Sequence, residues 1–352
     1  MNINKLKNKN PYNVDRFEKK LFFERMKFLT EHHKKNNAYY SKMLNLSKQK
    51  KNIQEIKEIP YVHNELFKLL DLYSVKKKNI FKVLKSSGTS GSKQSKIFLD
   101  KQNAINQSLV LSQLFKSNFG GERFPMLIID KNPKFKSPKE YDAKTAAFLG
   151  FSLFGFDHTF LLDDQGKIDY ESFERFIKKH KKKIFIFGFT SFIYEILIKH
   201  FDKKKLMKML NNSFILHGGG WKKMDDQKIS NDKFKKLLKT KHNIKRVVNY
   251  YGMIEQAGSV FFECEKCNFF KSSIFSNVLI RNKNLQVEEN GKPGLIQVMS
   301  TLPTSYPGHS ILTEDVGYIK KGLNKCKCLT EGSCFKVIGR TKISKIRGCS
   351  DV

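Results

Sequence analysis

From residue 14 to 46, apolar side chains recur every three or four positions among lysines and glutamates: Phe17, Leu21, Phe22, Met26, Phe28 and Leu29. That spacing predicts a helix with one buried face. Ile59-Pro60-Tyr61 breaks the pattern, and Phe67-Lys68-Leu69-Leu70 follows it. Residues 96–100 read as a strand and 101–119 as a second helix. From Phe124 onward the texture changes to short, mainly apolar runs: Met126 to Asp130, Ile184 to Phe189, Phe214 to His217 and Val247 to Tyr251. Helical stretches separate them, among them Phe192 to His200. Uninterrupted apolar strands alternating with helices predict an α/β fold whose sheet is covered on both faces. Ligands bind such sheets at the carboxyl ends of the strands. Beyond Gly258 the pieces are β-rich (Val260 to Phe262, Ser276 to Ile280, Gly294 to Val298) and punctuated by Pro and Gly, as in hairpins. The last clear element ends near Arg340, and no internal repeat is visible.

Composition narrows this only a little. The chain has 352 residues, 39% hydrophobic with 31 Phe, enough for a large core and one or two domains. The formal charge of +34 would suit a nucleic-acid partner. Its lysines, however, are spread along the whole length and accompany abundant Asn, Ile and Phe, so they read as solvated faces and codon bias, which argues against that partner. The polar start, Met1 to Lys5, lacks the apolar core of a signal peptide. The longest apolar stretch, Ile184 to Tyr194, is too short to span a bilayer. We therefore expect a cytoplasmic protein without a transmembrane segment, its 6 cysteines reduced.

Four motifs fall at ends of predicted strands. The first, Ser86-Ser87-Gly88-Thr89-Ser90-Gly91-Ser92-Lys93, is made almost wholly of Ser, Thr and Gly. Such a tract is either a flexible linker or a nest of N–H and hydroxyl groups for phosphate oxygens. It lacks the spacing of a Walker A loop. The others are His217-Gly218-Gly219-Gly220-Trp221-Lys222, Tyr250-Tyr251-Gly252-Met253-Ile254-Glu255-Gln256 and Leu312-Thr313-Glu314-Asp315-Val316-Gly317, with Gly339-Arg340 after them.

This ordered set resembles the adenylate-forming superfamily. With Phe67-Lys68 and the run Pro303 to Ser310 added, it is most similar to the acyl-protein synthetases of the LuxE family, over roughly residues 55–352. The resemblance implies an adenylate-forming large domain of mixed sheets covered by helices, with a β-rich C-terminal portion and a truncated or absent small C-terminal domain. It divides the chain into a helical region packing on the core (1–80), an α/β core that is β-rich from about 259 (81–338), and a hinge with a mobile end (339–352). It also implies ATP, Mg²⁺ and a carboxylic acid; the apolar run Phe185, Phe187, Phe189 and Phe192 points to a fatty one, unless those rings are simply core. Ser86, Ser87, Gly88, Thr89, Ser90, Gly91 and Lys93 would hold the β- and γ-phosphates, and Glu255 the Mg²⁺. Tyr251 with its neighbour Gly252, and Gly218, Gly219 and Gly220, would wall the adenine and acyl pocket. Asp315 would accept the ribose hydroxyls and Arg340 would sit at the hinge. Cys349 would take the acyl group as a thioester and pass it to a partner protein, such as a reductase.

The pattern departs from the superfamily at Ile254, where a threonine is usual. Cys264-x-x-Cys267 and Cys326-x-Cys328 form a separate constellation, either a four-thiolate structural Zn²⁺ site or unrelated thiols. Two other functions remain open at this point: a coenzyme A ligase of the phenylacetate–CoA ligase type, and a basic binding protein that kept the fold without catalysis.

Overall fold

The computed structural model describes residues 9–47, 49, 52–86, 93–133, 140–180, 183–201, 210, 212–289, 291–320 and 332–341. The expected N-terminal helix is two helices. α1 (Arg16–Asn36) starts on Asp15, whose side chain accepts the N–H groups of Phe17 and Glu18. Asn37 ends it, its N–H bonding the His33 carbonyl at 2.8 Å. The Asn37 side chain then caps α2 (Ala38–Leu46) by accepting the Tyr40 N–H at 2.8 Å. The buried face of α1 is Phe22, Met26, Leu29, Thr30 and His33, whereas Phe17 (59% exposed) and Phe28 (54%) lie off it.

Next come β1 (Val62–His63), α3 (Leu66–Leu69), β2 (Ile80–Lys85), β3 (Lys96–Asp100) and α4 (Lys101–Phe119). Asp100 caps α4 by accepting the Asn103 N–H at 2.7 Å. Then follow β4 (Phe124–Lys131), β5 (Glu140–Asp142), α5 (Ala143–Ser152), β6 (Gly155–Leu162), α6 (Tyr170–Lys179) and β7 (Phe185–Phe189). α7 (Thr190–Ile193) continues as a π-helix over Tyr194–His200, two residues earlier than expected and more loosely wound. β8 (Phe214–Gly218), α8 (Asn231–His242) and β9 (Arg246–Tyr251) complete the alternating region. The β-rich remainder is β10 (Phe261–Phe262), β11 (Phe270–Lys271), β12 (Ser276–Arg281), β13 (Gly294–Ser300), β14 (Ser310–Ile319) and β15 (Cys334–Arg340).

Three sheets result. The first, in the order β10-β9-β8-β7-β4-β6, is parallel except for β10. Both its faces are buried: one against phenylalanines of α4 and α5, the other against α6, α7 and α8. The second, β11-β15-β14-β13-β12, is antiparallel, and β1 joins it in parallel along the first half of β14. α1 packs on this sheet through Phe22, Met26 and Leu29 against Leu279 and Met299. The third, β3-β2-β5, shares a core with the second through Leu84, Ile97, Leu99, Val278 and Ile296. Among the described residues no helix is long and apolar enough to cross a membrane.

Candidate functional site

The carboxyl ends of β7, β8 and β9 lie side by side, because these strands pair in parallel and in register: Phe189 beside Gly218, and Gly218 beside Tyr250. At the end of β8 a Cβ on Gly218 would run into the Tyr250 ring, and Gly219 has φ +76°, so the turn requires glycine at both positions. Thr190, opening α7, holds the turn from beneath. Its hydroxyl lies 3.0 Å from the Gly218 carbonyl, 3.1 Å from that of Gly219 and 2.9 Å from His217 Nδ1. Burial, helped by the nearby Lys235 charge, pushes the His217 pKa down to about 3, so the ring is neutral. Gly219 and Gly220 are exposed, and nothing lies within 4 Å of a Cβ placed on Gly220. They form an open rim.

Tyr251, at the tip of β9, reaches into the antiparallel sheet. Its hydroxyl donates to Asp315 Oδ2 at 2.7 Å. Arg340 Nε donates to Asp315 Oδ1, also at 2.7 Å. The second contact follows from register, since Asp315 on β14 pairs with Arg340 on β15. Burial, then the Asp315 charge, holds the Tyr251 pKa well above its ordinary value, so the phenol keeps its proton and acts as a donor.

Glu255 follows β9 on the short turn Ile254–Gln256 and is only 6% exposed. The Tyr306 hydroxyl donates to its backbone carbonyl at 2.8 Å, and Gln256 Nε2 donates to the carbonyls of Gly308 (2.9 Å) and Val298 (3.1 Å). Burial raises the Glu255 pKa. The Ser95 hydroxyl, a backbone contact and the charges of Lys68 and Arg340 oppose that rise without cancelling it. Ser95 Oγ is itself buried, and the Glu255 carboxyl is the group it acts on. A buried carboxylate beside a buried hydroxyl is a donor set that fits a hard cation such as Mg²⁺.

Ser95 also closes the base of the Ser/Gly loop. The Ser86 N–H donates to the Ser95 carbonyl at 2.9 Å, and the Ser95 N–H donates to Ser86 Oγ at 2.8 Å. The β2–β3 pairing brings these two residues together, with Lys85 opposite Lys96. Ser87, Gly88, Thr89, Ser90 and Gly91 lie outside the described residues, and Lys93 is exposed. The loop therefore leaves and re-enters the fold beside Glu255. Through Arg340, Glu255 is in turn within electrostatic reach of the Asp315–Tyr251 pair. Gly252 lies between the two clusters in sequence, with Val260 3.2 Å from where its Cβ would be.

The structure also places residues to which the motifs assigned no role. Ser95 lies beyond the loop and is marked only by the hairpin that carries it. Tyr306 is held within the run Pro303 to Ser310, and Thr190 has no sequence signal. Phe185, Phe187 and Phe189 are buried among Phe214, Phe151 and Tyr250, which makes them core, while Phe192 lies under the Lys144 ammonium at 4.7 Å.

Cys264 and Cys267 adjoin one another in a tight turn, where the Asn268 N–H bonds the Cys264 carbonyl at 2.8 Å. Their observed neighbour is Cys334, whose thiol pKa is pushed up to about 12 by burial and by these two sulfurs. Cys326, Cys328 and Cys349 lie outside the described residues. Among the described residues, no group of three or more His, Cys, Asp or Glu side chains is arranged to hold a metal ion.

A parallel sheet whose strand tips face an antiparallel β portion is the architecture of adenylate-forming ligases. The chain superposes on 2-hydroxyisobutyryl-CoA ligase in its postadenylation state with a TM-score of 0.67, covering 94% of this chain and 70% of that one at 12% identity. An open conformation of the same ligase gives 0.62, with coverages of 92% and 74% and again 12% identity. These likenesses concern the fold. The family profile described as Acyl-protein synthetase, LuxE matches residues 6–352, and the chain belongs to that family of ligases. It is similar to the long-chain-fatty-acid–luciferin-component ligase of Vibrio harveyi, 25% identical over 346 residues (95% of this chain, 87% of the relative). The ligase of the same name from Aliivibrio fischeri is 27% identical over 301 residues (82% and 76%).

Proposed function

We propose that this protein activates a long-chain fatty acid with ATP and carries the acyl group as a thioester to a second protein. In the first step a carboxylate oxygen attacks the α-phosphorus, an acyl–phosphate bond forms, and pyrophosphate leaves. In the second, the Cys349 thiolate attacks the acyl carbon and AMP leaves with the carboxyl-derived oxygen. A nucleophile on the partner, by family analogy a reductase, then takes the acyl group from sulfur. The first step depends on positioning and on neutralising phosphate charge.

The assignments combine the family resemblance with the contacts of the described residues. The Ser86–Ser95 base presents the loop Ser87 to Gly91, with Lys93, to the β- and γ-phosphates. Glu255 and Ser95 would hold Mg²⁺, which would supply charge neutralisation on the polyphosphate. Asp315 takes the ribose hydroxyls on lone pairs left free by Tyr251 and Arg340. The glycine rim Gly218 to Gly220, with Tyr251 and Gly252, bounds the adenine and acyl side. The supporting observation is the surroundings of Glu255, where the loop base, Lys68 and the Arg340–Asp315–Tyr251 chain meet.

The test uses radiolabelled fatty acid with ATP and Mg²⁺. The reading expects label on the chain itself, lost in Cys349→Ser, while acid-dependent ATP–pyrophosphate exchange persists in that variant. Label that appears only on added coenzyme A would replace Cys349 as acceptor and keep the first step. No exchange with any long-chain acid would refute the reading.

A further inference from the structure

Lys68 is the residue whose surroundings the assignments above leave unexplained. It sits on α3, next to Phe67, which is fully buried with its ring 6.2 Å from that of Tyr306. Tyr306 is the side chain that holds the Glu255 carbonyl. α3 is fixed from its other side as well: β1 pairs with Ile311 and Leu312 of β14, and the Asn64 N–H bonds the Leu312 carbonyl at 3.1 Å. The backbone of Lys68 is thus tied to both clusters of the site.

The Lys68 side chain is only 16% exposed, and its sole ion pair among the described residues is with Glu65, one helical turn away at 3.9 Å. That separation is beyond hydrogen-bond length, and Glu65 is itself 44% exposed. The Lys68 charge nevertheless lies within electrostatic reach of Glu255. The other cation acting on Glu255, Arg340, is already held by Asp315 at 2.7 Å. A largely buried ammonium with no closer acceptor among the described residues is stabilised when an anion completes its shell. Glu255 is also acted on by the buried Ser95 hydroxyl, and Ser95 with Ser86 forms the bonded base of the Ser/Gly loop. A cation whose printed partner is distant and the buried Ser95 hydroxyl therefore both neighbour Glu255.

Resting on the nucleotide reading above, we propose that Lys68 is a substrate-binding residue whose ammonium contacts the pyrophosphate portion of ATP. Charge-assisted contacts of this kind weaken binding by about tenfold or more when removed. Lys68→Met keeps the aliphatic stem and deletes the charge. It is expected to raise the KM for MgATP and the dissociation constant for Mg-pyrophosphate at least about tenfold. The KM for fatty acid and the affinity for AMP stay near wild type, and Lys68→Arg recovers part of the loss. Unchanged MgATP and pyrophosphate affinities in Lys68→Met would overturn the proposal, as would a rise in the KM for the acid alone, which would assign the cation to the substrate carboxylate.

A second measurement uses the wild-type chain and does not depend on turnover. Mg-pyrophosphate, but not AMP, is expected to protect Lys68 from acetylation by acetic anhydride, read by peptide mass spectrometry. Equal acetylation with and without pyrophosphate would overturn the proposal even if Lys68→Met fails to fold. Absence of exchange in the wild type would instead count against the nucleotide reading itself.

Discussion

Replacing Glu255 by Gln separates what the fold prefers from what the site needs. The carboxyl is 6% exposed, and burial outweighs the Ser95, Lys68 and Arg340 influences, so its folded pKa lies above the ordinary 4.5. Between the unfolded pKa and this raised value the folded chain binds more proton than the unfolded one. The contribution of Glu255 to stability therefore declines as pH rises through that window. Each pKa unit of the rise is worth about 1.4 kcal/mol. Glu255→Gln removes the charged form and is expected to stabilise the ligand-free chain at about pH 8, by about 1.4 kcal/mol for each unit of that rise. Near pH 4 the two proteins should be about equal. The same change removes the anionic donor assigned to Mg²⁺. Wild-type protein at MgATP about 100-fold above its dissociation constant should gain about 2.7 kcal/mol in an unfolding titration, and the variant should lose most of that gain. Denaturant unfolding at both pH values, with and without MgATP, measures all four numbers. A variant that is less stable at about pH 8, or that keeps the full ligand-induced gain, would refute this account of Glu255.

Three other outcomes follow from particular contacts. Gly308→Ala would place a Cβ inside the Tyr306 ring and 2.7 Å from the Glu255 carbonyl, so it should cost about 1–3 kcal/mol in unfolding experiments and lower MgATP affinity together with stability. His33 and His309 stack 5.0 Å apart between α1 and the start of β14, buried and neutral. Burial chiefly holds both pKa values below 6.5, His309 down to about 3. Their contribution is present above pH 6.5 and is lost as pH falls toward 3, and the acid-side slope of stability against pH should flatten in His309→Gln. Metal analysis of protein purified without added zinc tests the four-cysteine expectation. About one zinc per chain, lost in Cys264→Ser, would support it, and none would end it.

Some of this was legible in the sequence and some was not, for identifiable reasons. The apolar runs at Phe214 and Val247 stand out because a strand buried on both faces leaves no polar alternation to confuse it. The break at Asn37 carries neither Gly nor Pro. It works through a side-chain cap and a carbonyl contact, which periodicity does not register. β2 and β6 mix polar and apolar residues and gave no clear run, although β2 forms one arm of the loop base. Motif order pointed to Tyr251, Asp315 and Arg340 separately. Their mutual bonds span 64 and 25 positions and depend on how two sheets meet. Phe67-Lys68 entered the family resemblance without a role, and Ser95 entered no motif, so what each does is visible only from its surroundings.

The account rests on one nucleotide site shared by the strand tips, the loop base and β14. A crystal structure with a non-reactive acyl-sulfamoyl adenosine tests it most directly. The account predicts the ribose hydroxyls on Asp315 and the sulfamoyl group between the Ser86–Ser95 bracket and Glu255, whereas an analogue seated away from both would contradict it.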